Sequence, residues 1–133
     1  MGRRTPPCTM YTEWTTARYW GFIRSALRQA FNRYPPKYES IKEAAITMQD
    51  GEYKTGPKKG KPKMVKRYTC AACGHLFLQK EVQVDHIIGA GSLKDYHDLP
   101  GFTRRLFCSK DGLQVLCKEC HHEKTMEEKN VKR

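Results

Sequence analysis

The fold of this chain depends above all on the residues Leu113-Gln114-Val115-Leu116-Cys117-Lys118-Glu119-Cys120-His121-His122-Glu123-Lys124-Thr125. The apolar beginning predicts a short strand from Leu113 to Leu116, and the polar remainder predicts a helix from Cys120 to about Glu128. Cys117 and Cys120 lie between them, where a tight turn places both sulfurs on one side. This order of strand, paired cysteines and helix predicts a small module stabilised by a metal ion.

A second pair of cysteines matches the first. Cys70 and Cys73 have the same spacing as Cys117 and Cys120, and 43 residues separate the two pairs. Two such turns build a tetrahedral site of four sulfurs, and we predict a structural Zn²⁺ there. The alternatives are two accidental pairs of buried thiols, and redox chemistry, for which neither pair has the usual strand-then-helix context. A polar chain of 133 residues has a modest core, which a metal would reinforce.

Two further cysteines stand outside these pairs. Cys108 follows Leu106 and Phe107 and is expected to be a small core residue, whereas Cys8 has no assigned role. No apolar run is long enough to span a bilayer, and the N-terminus lacks the apolar stretch of a secretory signal. We therefore expect a cytoplasmic protein, in a compartment where paired cysteines more often bind metal than form disulfides.

The charge balance indicates a polyanionic partner. Lys and Arg number 25 against 14 Asp and Glu, which gives a formal net charge of +11. Nucleic acid is the first candidate for such a chain. We expect no membrane partner, because no basic amphipathic helix with a broad apolar face stands out.

Residues 1–50 are predicted to form an N-terminal arm and a helical extension. The arm covers residues 1–13 and contains two adjacent prolines. Apolar residues then recur at helical spacing from Trp14 to Tyr34, and Pro35-Pro36 is expected to stop this helix. A second, weaker helix is predicted from about Glu39 to Met48.

Residues 51–67 have a different composition. Five glycines and prolines interrupt regular structure, seven lysines and arginines supply charge, and no acid occurs between Glu52 and Glu81. We expect a basic flexible linker that lies along phosphates; a solvated linker without a partner is the alternative.

Residues 68–133 are expected to form one compact module. Within it we predict a strand from Glu81 to Asp85, a loop from Gly89 to Ser92, and a helix from about Asp98 to Phe107. The final strand and helix described above complete this module.

Asp85 and His86 stand at the end of a predicted strand. Strict alternation would turn Asp85 outward and His86 inward. If the strand ends here, both face one cavity, where one can hold a cation and the other can move a proton. His121 follows the fourth sulfur directly, so the metal would fix its position in the first turn of the last helix. An Asp-His pair alone is usually structural.

Three segments follow one another in the chain: Cys70-x2-Cys73, then Val84-Asp85-His86-Ile87, then the segment from Leu113 to Thr125. Together they resemble the HNH nuclease family in its four-cysteine form, over about residues 68–126. The resemblance implies an α+β protein with a ββα-metal module, in which two short strands and a helix surround one catalytic divalent ion. Residues 1–50 are similar to the extensions of phage-encoded members.

The same resemblance implies roles for particular residues. Asp85 and His121 would ligate the catalytic ion, and His86 would be the general base. Gly112 departs from the pattern, since the family usually has an asparagine there that braces the loop. Asp111 or backbone contacts are expected to substitute.

The implied function is that of a metal-dependent endonuclease hydrolysing DNA, with 5′-phosphate and 3′-hydroxyl products and Mg²⁺, Mn²⁺, Ni²⁺ or Co²⁺ as activator. A single site cuts one strand at a time, so nicking of double-stranded DNA is expected from a monomer or weak dimer, and double-strand cleavage needs two placements or a dimer. Packaging of phage DNA, with packaging proteins as partners, and free-standing homing are both open by analogy.

Basic residues across the whole chain are candidate DNA contacts, whereas His75, His97 and His122 are expected to be exposed or to support their neighbours. The candidates are Arg24, Arg28, Lys58, Lys59, Lys61, Arg104, Arg105 and Lys124.

Two competing hypotheses belong to other classes. One is a non-catalytic zinc module that binds DNA or a protein, with a decayed HNH pocket, and Gly112 favours it. Asp85, His86 and His121 argue against it, because a binding module does not need all three. The other is an RNA-binding zinc ribbon, which fits the charge but leaves Asp85 and His86 unexplained.

Overall fold

The computed structural model describes residues 11–132, so Cys8 and most of the predicted arm lie outside the described residues. The described part contains helices and strands in mixed order, in agreement with the predicted α+β class. In chain order they are α1 (Thr16–Ala30), α2 (Pro35–Ala44), β1 (Ala45–Glu52), β2 (Pro62–Thr69), β3 (Leu76–Phe77), β4 (Val82–His86), α3 (Leu99–Leu106), β5 (Leu113–Cys117) and α4 (Lys118–Lys132). Among these residues, none of the helices combines the length and apolar character needed to cross a membrane.

The strands form two separate sheets. β1, β2 and β3 make one sheet in that order, and β4 pairs with β5 in the other. In the second sheet Val82 lies opposite Cys117 and His86 lies opposite Leu113. β5 is buried at every residue except Gln114, which is half-buried, and this burial accounts for its apolar sequence. The predicted strands at β4 and β5 and the predicted helices at α3 and α4 are confirmed, and α4 is longer than expected.

The helical extension and the C-terminal half share one hydrophobic core. α1 begins after Thr15, whose side-chain oxygen accepts a hydrogen bond from the backbone of Arg18 and caps the helix. Its apolar stripe packs inward, so that Trp20 is only 3% exposed. The buried residues of this core come from α1, its following turn, α3, β5 and the loop before α3: Trp20, Phe31, Ala90, Leu93, Phe102, Leu106 and Leu113.

The second predicted helix is shifted along the chain. Pro35 and Pro36 lie beyond the end of α1, in the first turn of α2, where a missing N–H costs nothing. A short 3₁₀ turn over Phe31–Arg33 separates the two helices. The prediction that the helix continues to Met48 was wrong, because the chain becomes extended at Ala45 and pairs with β2.

The expected flexible linker at residues 51–67 is a β-hairpin for much of its length. β1 and β2 pair antiparallel from Ala45 opposite Tyr68 to Glu52 opposite Pro62. Backbone hydrogen bonds between Tyr53 and Lys61 (3.0 Å) and from Gly60 to Tyr53 (2.9 Å) close the connecting turn. Gly56 and Gly60 adopt positive φ angles in this turn, so the glycines that suggested a linker allow a hairpin to reverse direction.

Candidate active site

The four paired cysteines come together at one end of the β4–β5 sheet. Their Sγ atoms all lie within 4.8 Å of one another. Zn²⁺ bound by four thiolates at about 2.3 Å would place the sulfurs roughly 3.8 Å apart, so the cluster fits such an ion with little adjustment. Cys70 and Cys117 are buried, Cys120 is half-buried and Cys73 is exposed. The predicted cysteine cluster is therefore confirmed as a set of sulfurs positioned to bind a metal ion.

Backbone geometry around the first pair prepares it for this role. Gly74, with a φ of 74°, turns the chain back so that its N–H donates to the Cys70 carbonyl (2.9 Å). The N–H of Ala71 donates to the carbonyl of Val115 (2.8 Å), which ties the first turn to β5. These contacts hold the two cysteine pairs at a fixed separation, even though 43 residues lie between them.

The ionisation of the cysteines differs within the cluster. Burial opposes ionisation of Cys70, but hydrogen bonds from the backbone of Cys73, Cys117 and Ala72 outweigh it and lower the pKa of the thiol to about 6. The pKa of Cys120 is raised, first by its hydrogen bond with the Cys117 sulfur and then by burial. Sulfurs this close cannot all ionise without a cation among them.

Asp85 and His121 lie close together at the other end of the β4–β5 sheet from the cysteine cluster. Asp85 is near the end of β4, His121 is in the first turn of α4, and Asp85 Oδ1 lies 3.5 Å from His121 Nε2. Gln114 on β5 donates to Asp85 Oδ2 at 3.0 Å and orients the carboxylate. Asp85 Oδ1 and His121 Nε2 are thus the two atoms that these side chains bring close together.

His86 has one ring nitrogen committed to the backbone. Its Nε2 lies 2.8 Å from the carbonyl oxygen of Leu106. A carbonyl oxygen only accepts, so Nε2 carries the proton and, in the neutral imidazole, Nδ1 is the atom able to accept another. The ring also packs against Phe31, with 4.7 Å between the ring centroids. His86 is thus fixed in both tautomer and orientation.

All three side chains line one groove of about 630 Å³. β4 ends at His86, and both Asp85 and His86 line this groove, as do their neighbours Gln83 and Val84. Another part of its wall comes from the helical extension and includes Arg28, a predicted DNA contact. Lys37 and Tyr38 on that wall were missed, because nothing local in the sequence shows that α2 packs near β4.

Other predicted DNA contacts occupy different surroundings. Lys124 donates to Asp85 Oδ2 (2.5 Å) and to the carbonyls of His86 (2.5 Å) and Ile87 (3.3 Å), which joins α4 to the end of β4. Arg24 donates to the Leu93 carbonyl (3.3 Å). Neither side chain lines the groove, and all three N–H donors of Lys124 are engaged in contacts that support the fold.

The remaining basic candidates fall into two groups. Arg105 Nε donates to the Ala90 carbonyl (2.8 Å) and so braces the loop before α3. Arg104 is exposed on α3, and Lys58, Lys59 and Lys61 are exposed in the turn of the β1–β2 hairpin. None of these four exposed residues lines the groove.

The departure at Gly112 has a local steric cause. A Cβ atom at this position would lie 2.7 Å from the sulfur of Cys108, too close for any side chain to fit without movement. Cys108 is half-buried against the main core, as predicted for a small core residue. The Gly112 carbonyl accepts a hydrogen bond from Ile87 (2.9 Å), which extends the β4–β5 ladder by one more contact. Backbone pairing therefore holds this loop where the family pattern has a side chain.

Comparison with known proteins gives one relative that bears on function. The chain is 38% identical over 66 residues to a protein of Lactococcus phage SK1 named probable HNH endonuclease. The matched segment covers 50% of this chain and 63% of the relative, so the chain spans less than two thirds of that relative's length. No family model matches the chain, and no solved structure matches it significantly. The name of the relative agrees with the resemblance carried by the cysteine pairs and by Asp85 and His86.

Proposed function

We propose that this chain is a metal-dependent HNH-type endonuclease that hydrolyses DNA phosphodiester bonds. The observation that carries the proposal is the convergence of Asp85, His86 and His121 in one groove, beside a cluster of four cysteines. The similarity to a phage protein named probable HNH endonuclease supports it independently of the geometry.

His86 acts as the general base in this proposal. The Leu106 carbonyl keeps the proton on Nε2, so Nδ1 takes a proton from the attacking water. After that transfer the imidazolium still donates to Leu106, and the carbonyl dipole stabilises the positive charge.

Asp85 and His121 are the residues that would hold a divalent ion. Their 3.5 Å separation is close to the roughly 3.0 Å expected between neighbouring ligands at about 2.1 Å from an ion. Such an ion, when bound, neutralises charge developing on the phosphate and the departing 3′ oxygen. One carboxylate and one imidazole suit Mg²⁺, Mn²⁺, Co²⁺ or Ni²⁺.

A structural Zn²⁺ at the four cysteines would set the geometry of the catalytic pair. Cys117 ends β5 and Cys120 lies one residue before His121, so the cluster fixes the angle at which α4 leaves the sheet. That angle determines the distance between His121 and Asp85. We propose on this basis that residues 68–133 form the nuclease module and that residues 1–50 are an extension packed on it.

Double-stranded DNA is the proposed substrate. The net charge of +11 provides long-range attraction, and Arg28 and Lys37 place positive charge on the groove wall that the helical extension forms. Lysines in the hairpin turn add phosphate contacts outside the groove. One set of Asp85, His86 and His121 cuts one strand, so nicking is the expected activity, and the products carry 5′-phosphate and 3′-hydroxyl ends.

A plasmid-nicking assay tests this function. Supercoiled DNA should convert to the open circle with Mg²⁺, Mn²⁺, Co²⁺ or Ni²⁺, and EDTA should stop the conversion. His86→Ala, purified identically, is the control for a contaminating nuclease. DNA binding without cleavage under every metal would favour the alternative of a non-catalytic zinc module.

A further inference from the structure

We propose that Tyr34, supported by Phe31, positions the His86 imidazole. The N-terminal extension then contributes to the geometry of the active site. The expected effect on cleavage rests on the proposed function. The positioning itself is argued from contacts that the extension makes with β4 and with the C-terminal side of α3. Tyr34 does not line the groove. It is therefore a positioning residue, which acts on the reaction through the backbone that holds His86.

The argument begins at the C-terminal end of α3. The last carbonyls of a helix have no partner within that helix and must find donors elsewhere. The Leu106 carbonyl accepts from His86, and the next two carbonyls, of Phe107 and Cys108, both lie 2.9 Å from the Tyr34 hydroxyl. Three consecutive carbonyls are thus held by the proposed base and by one tyrosine from the extension.

Tyr34 is itself held in place. Pro35 follows it and restricts its backbone to the extended region, where it has φ −83° and ψ 119°. Its ring packs edge-on against Phe107 at 5.2 Å and beside Phe31 at 5.7 Å, measured between centroids. These contacts hold the Tyr34 ring rigidly, so its hydroxyl keeps its position next to the two carbonyls.

Phe31 limits the same imidazole from another side. It is 8% exposed, and its ring packs on His86 at an interplanar angle of 44°. A ring tethered at Nε2 and packed on one face has little freedom to rotate, so Nδ1 keeps its direction. Phe31, which packs on the ring, and Tyr34, which holds the carbonyls next to Leu106, both come from the segment that joins α1 to α2.

The α3–β5 connection needs this support from outside. Gly112 supplies no side chain, and among the described residues the Tyr34 hydroxyl is the side-chain donor to this backbone, with its single proton shared between the carbonyls of Phe107 and Cys108. Without the hydroxyl these peptides are free to turn toward solvent, and the neighbouring Leu106 carbonyl moves with them. A displacement of the base of about 1 Å can cost on the order of 10²-fold in rate.

The test compares two tyrosine-to-phenylalanine variants of the full chain. Tyr34→Phe removes the hydroxyl and keeps the ring, whereas Tyr19→Phe removes a hydroxyl from the same extension whose partner is Tyr96 (2.6 Å). We expect Tyr34→Phe to lower kcat for nicking about tenfold with KM changed less than about twofold. Tyr19→Phe should leave both within about twofold of the wild type.

A second readout does not depend on cleavage. In the wild type at a pH where the imidazole is neutral, nitrogen NMR should show His86 protonated at Nε2, with that proton protected from exchange. Tyr34→Phe should weaken the protection or mix the tautomers, and Phe31→Leu should do the same while retaining an apolar side chain. Circular dichroism confirms that each variant is folded.

The outcomes separate the two proposals. Unchanged kcat and unchanged His86 resonances in folded Tyr34→Phe would overturn the positioning role, as would an equal loss in Tyr19→Phe. If the wild type cuts no DNA under any metal, the nuclease proposal fails, and the His86 resonances alone decide whether Tyr34 orients the imidazole.

Discussion

The cysteine cluster and the groove are built on the same β4–β5–α4 unit, yet they present opposite environments. The cluster brings four sulfurs within 4.8 Å of one another and includes two buried residues. The groove has an open volume of about 630 Å³ and contains Asp85 and His121, the two proposed ligands of a catalytic ion. A complete ligand set is characteristic of structural metal sites, and an incomplete one leaves room for substrate or water. In the proposed function, fold stability depends on one end of this small unit and chemistry on the other.

The largest expected effect comes from breaking the cluster. Cys117→Ser should lose the bound metal and unfold β4, β5 and α4, because for a structural zinc the free energy of binding, about 10–16 kcal/mol in small domains, is largely free energy of folding. Metal analysis and thermal melting by circular dichroism measure this directly. Cys108→Ser is the matched control, since that thiol is outside the cluster. A metal-free protein with an unchanged melting curve would contradict the structural role.

The next effect separates catalysis from folding. His86→Ala should lower the nicking rate about 10²- to 10⁴-fold, the usual contribution of a general base, and leave the DNA affinity close to that of the wild type. The melting temperature should fall only modestly, because the Leu106 carbonyl loses one hydrogen-bond partner. The measurements are initial rates of nicking and binding to a labelled duplex. A comparable loss of affinity would make His86 a DNA contact instead of a base.

A third prediction compares the two histidines of the groove. His121→Asn keeps a neutral ligand atom, now oxygen, so activity with Mg²⁺ should persist at about a tenth or more of the wild-type rate, while the response to Ni²⁺ and Co²⁺ falls. His86→Asn should be inactive with every metal, because an amide does not accept a proton from water. Rates across a metal titration provide the measurement. Similar behaviour of the two variants would refute the assignment of roles.

The sequence predicted the cluster and the strand-to-helix segment around it because the information there is local. The spacing of Cys117 and Cys120 and the apolar run before them specify a strand, a turn and a helix without reference to distant residues. α1 was predicted for the same reason, since Trp20, Ile23 and Leu27 repeat at helical spacing. Each of these segments carries its own periodicity or ligand geometry.

Other parts were not predictable because distant residues determine them. The hairpin of β1 and β2 is mostly exposed, so its glycines, prolines and lysines resemble those of a linker. Pairing across residues 45–69, not burial, defines it. Phe31 and Tyr34 have the spacing of ordinary apolar residues in a helix. Only the packing of α1 against α3 brings Phe31 to His86 and Tyr34 to the Phe107 carbonyl.

The smallest expected effect concerns the hairpin and extends the comparison to DNA binding outside the groove. Lys58, Lys59 and Lys61 are exposed in the turn between β1 and β2, so replacing all three by alanine should not disturb the core, the cysteine cluster or the groove. If each contacts a phosphate, the triple variant should bind duplex DNA about tenfold more weakly, with the salt dependence of log K reduced by about 2.7, roughly 0.9 per lost contact.

A second triple variant, Lys80→Ala with Lys94→Ala and Lys129→Ala, removes the same charge from exposed positions elsewhere. It should weaken binding only slightly and keep the wild-type slope, because distant charges act through the screened net field rather than through released counterions. Equal effects of the two triple variants would show that the hairpin contributes charge alone and does not contact the duplex.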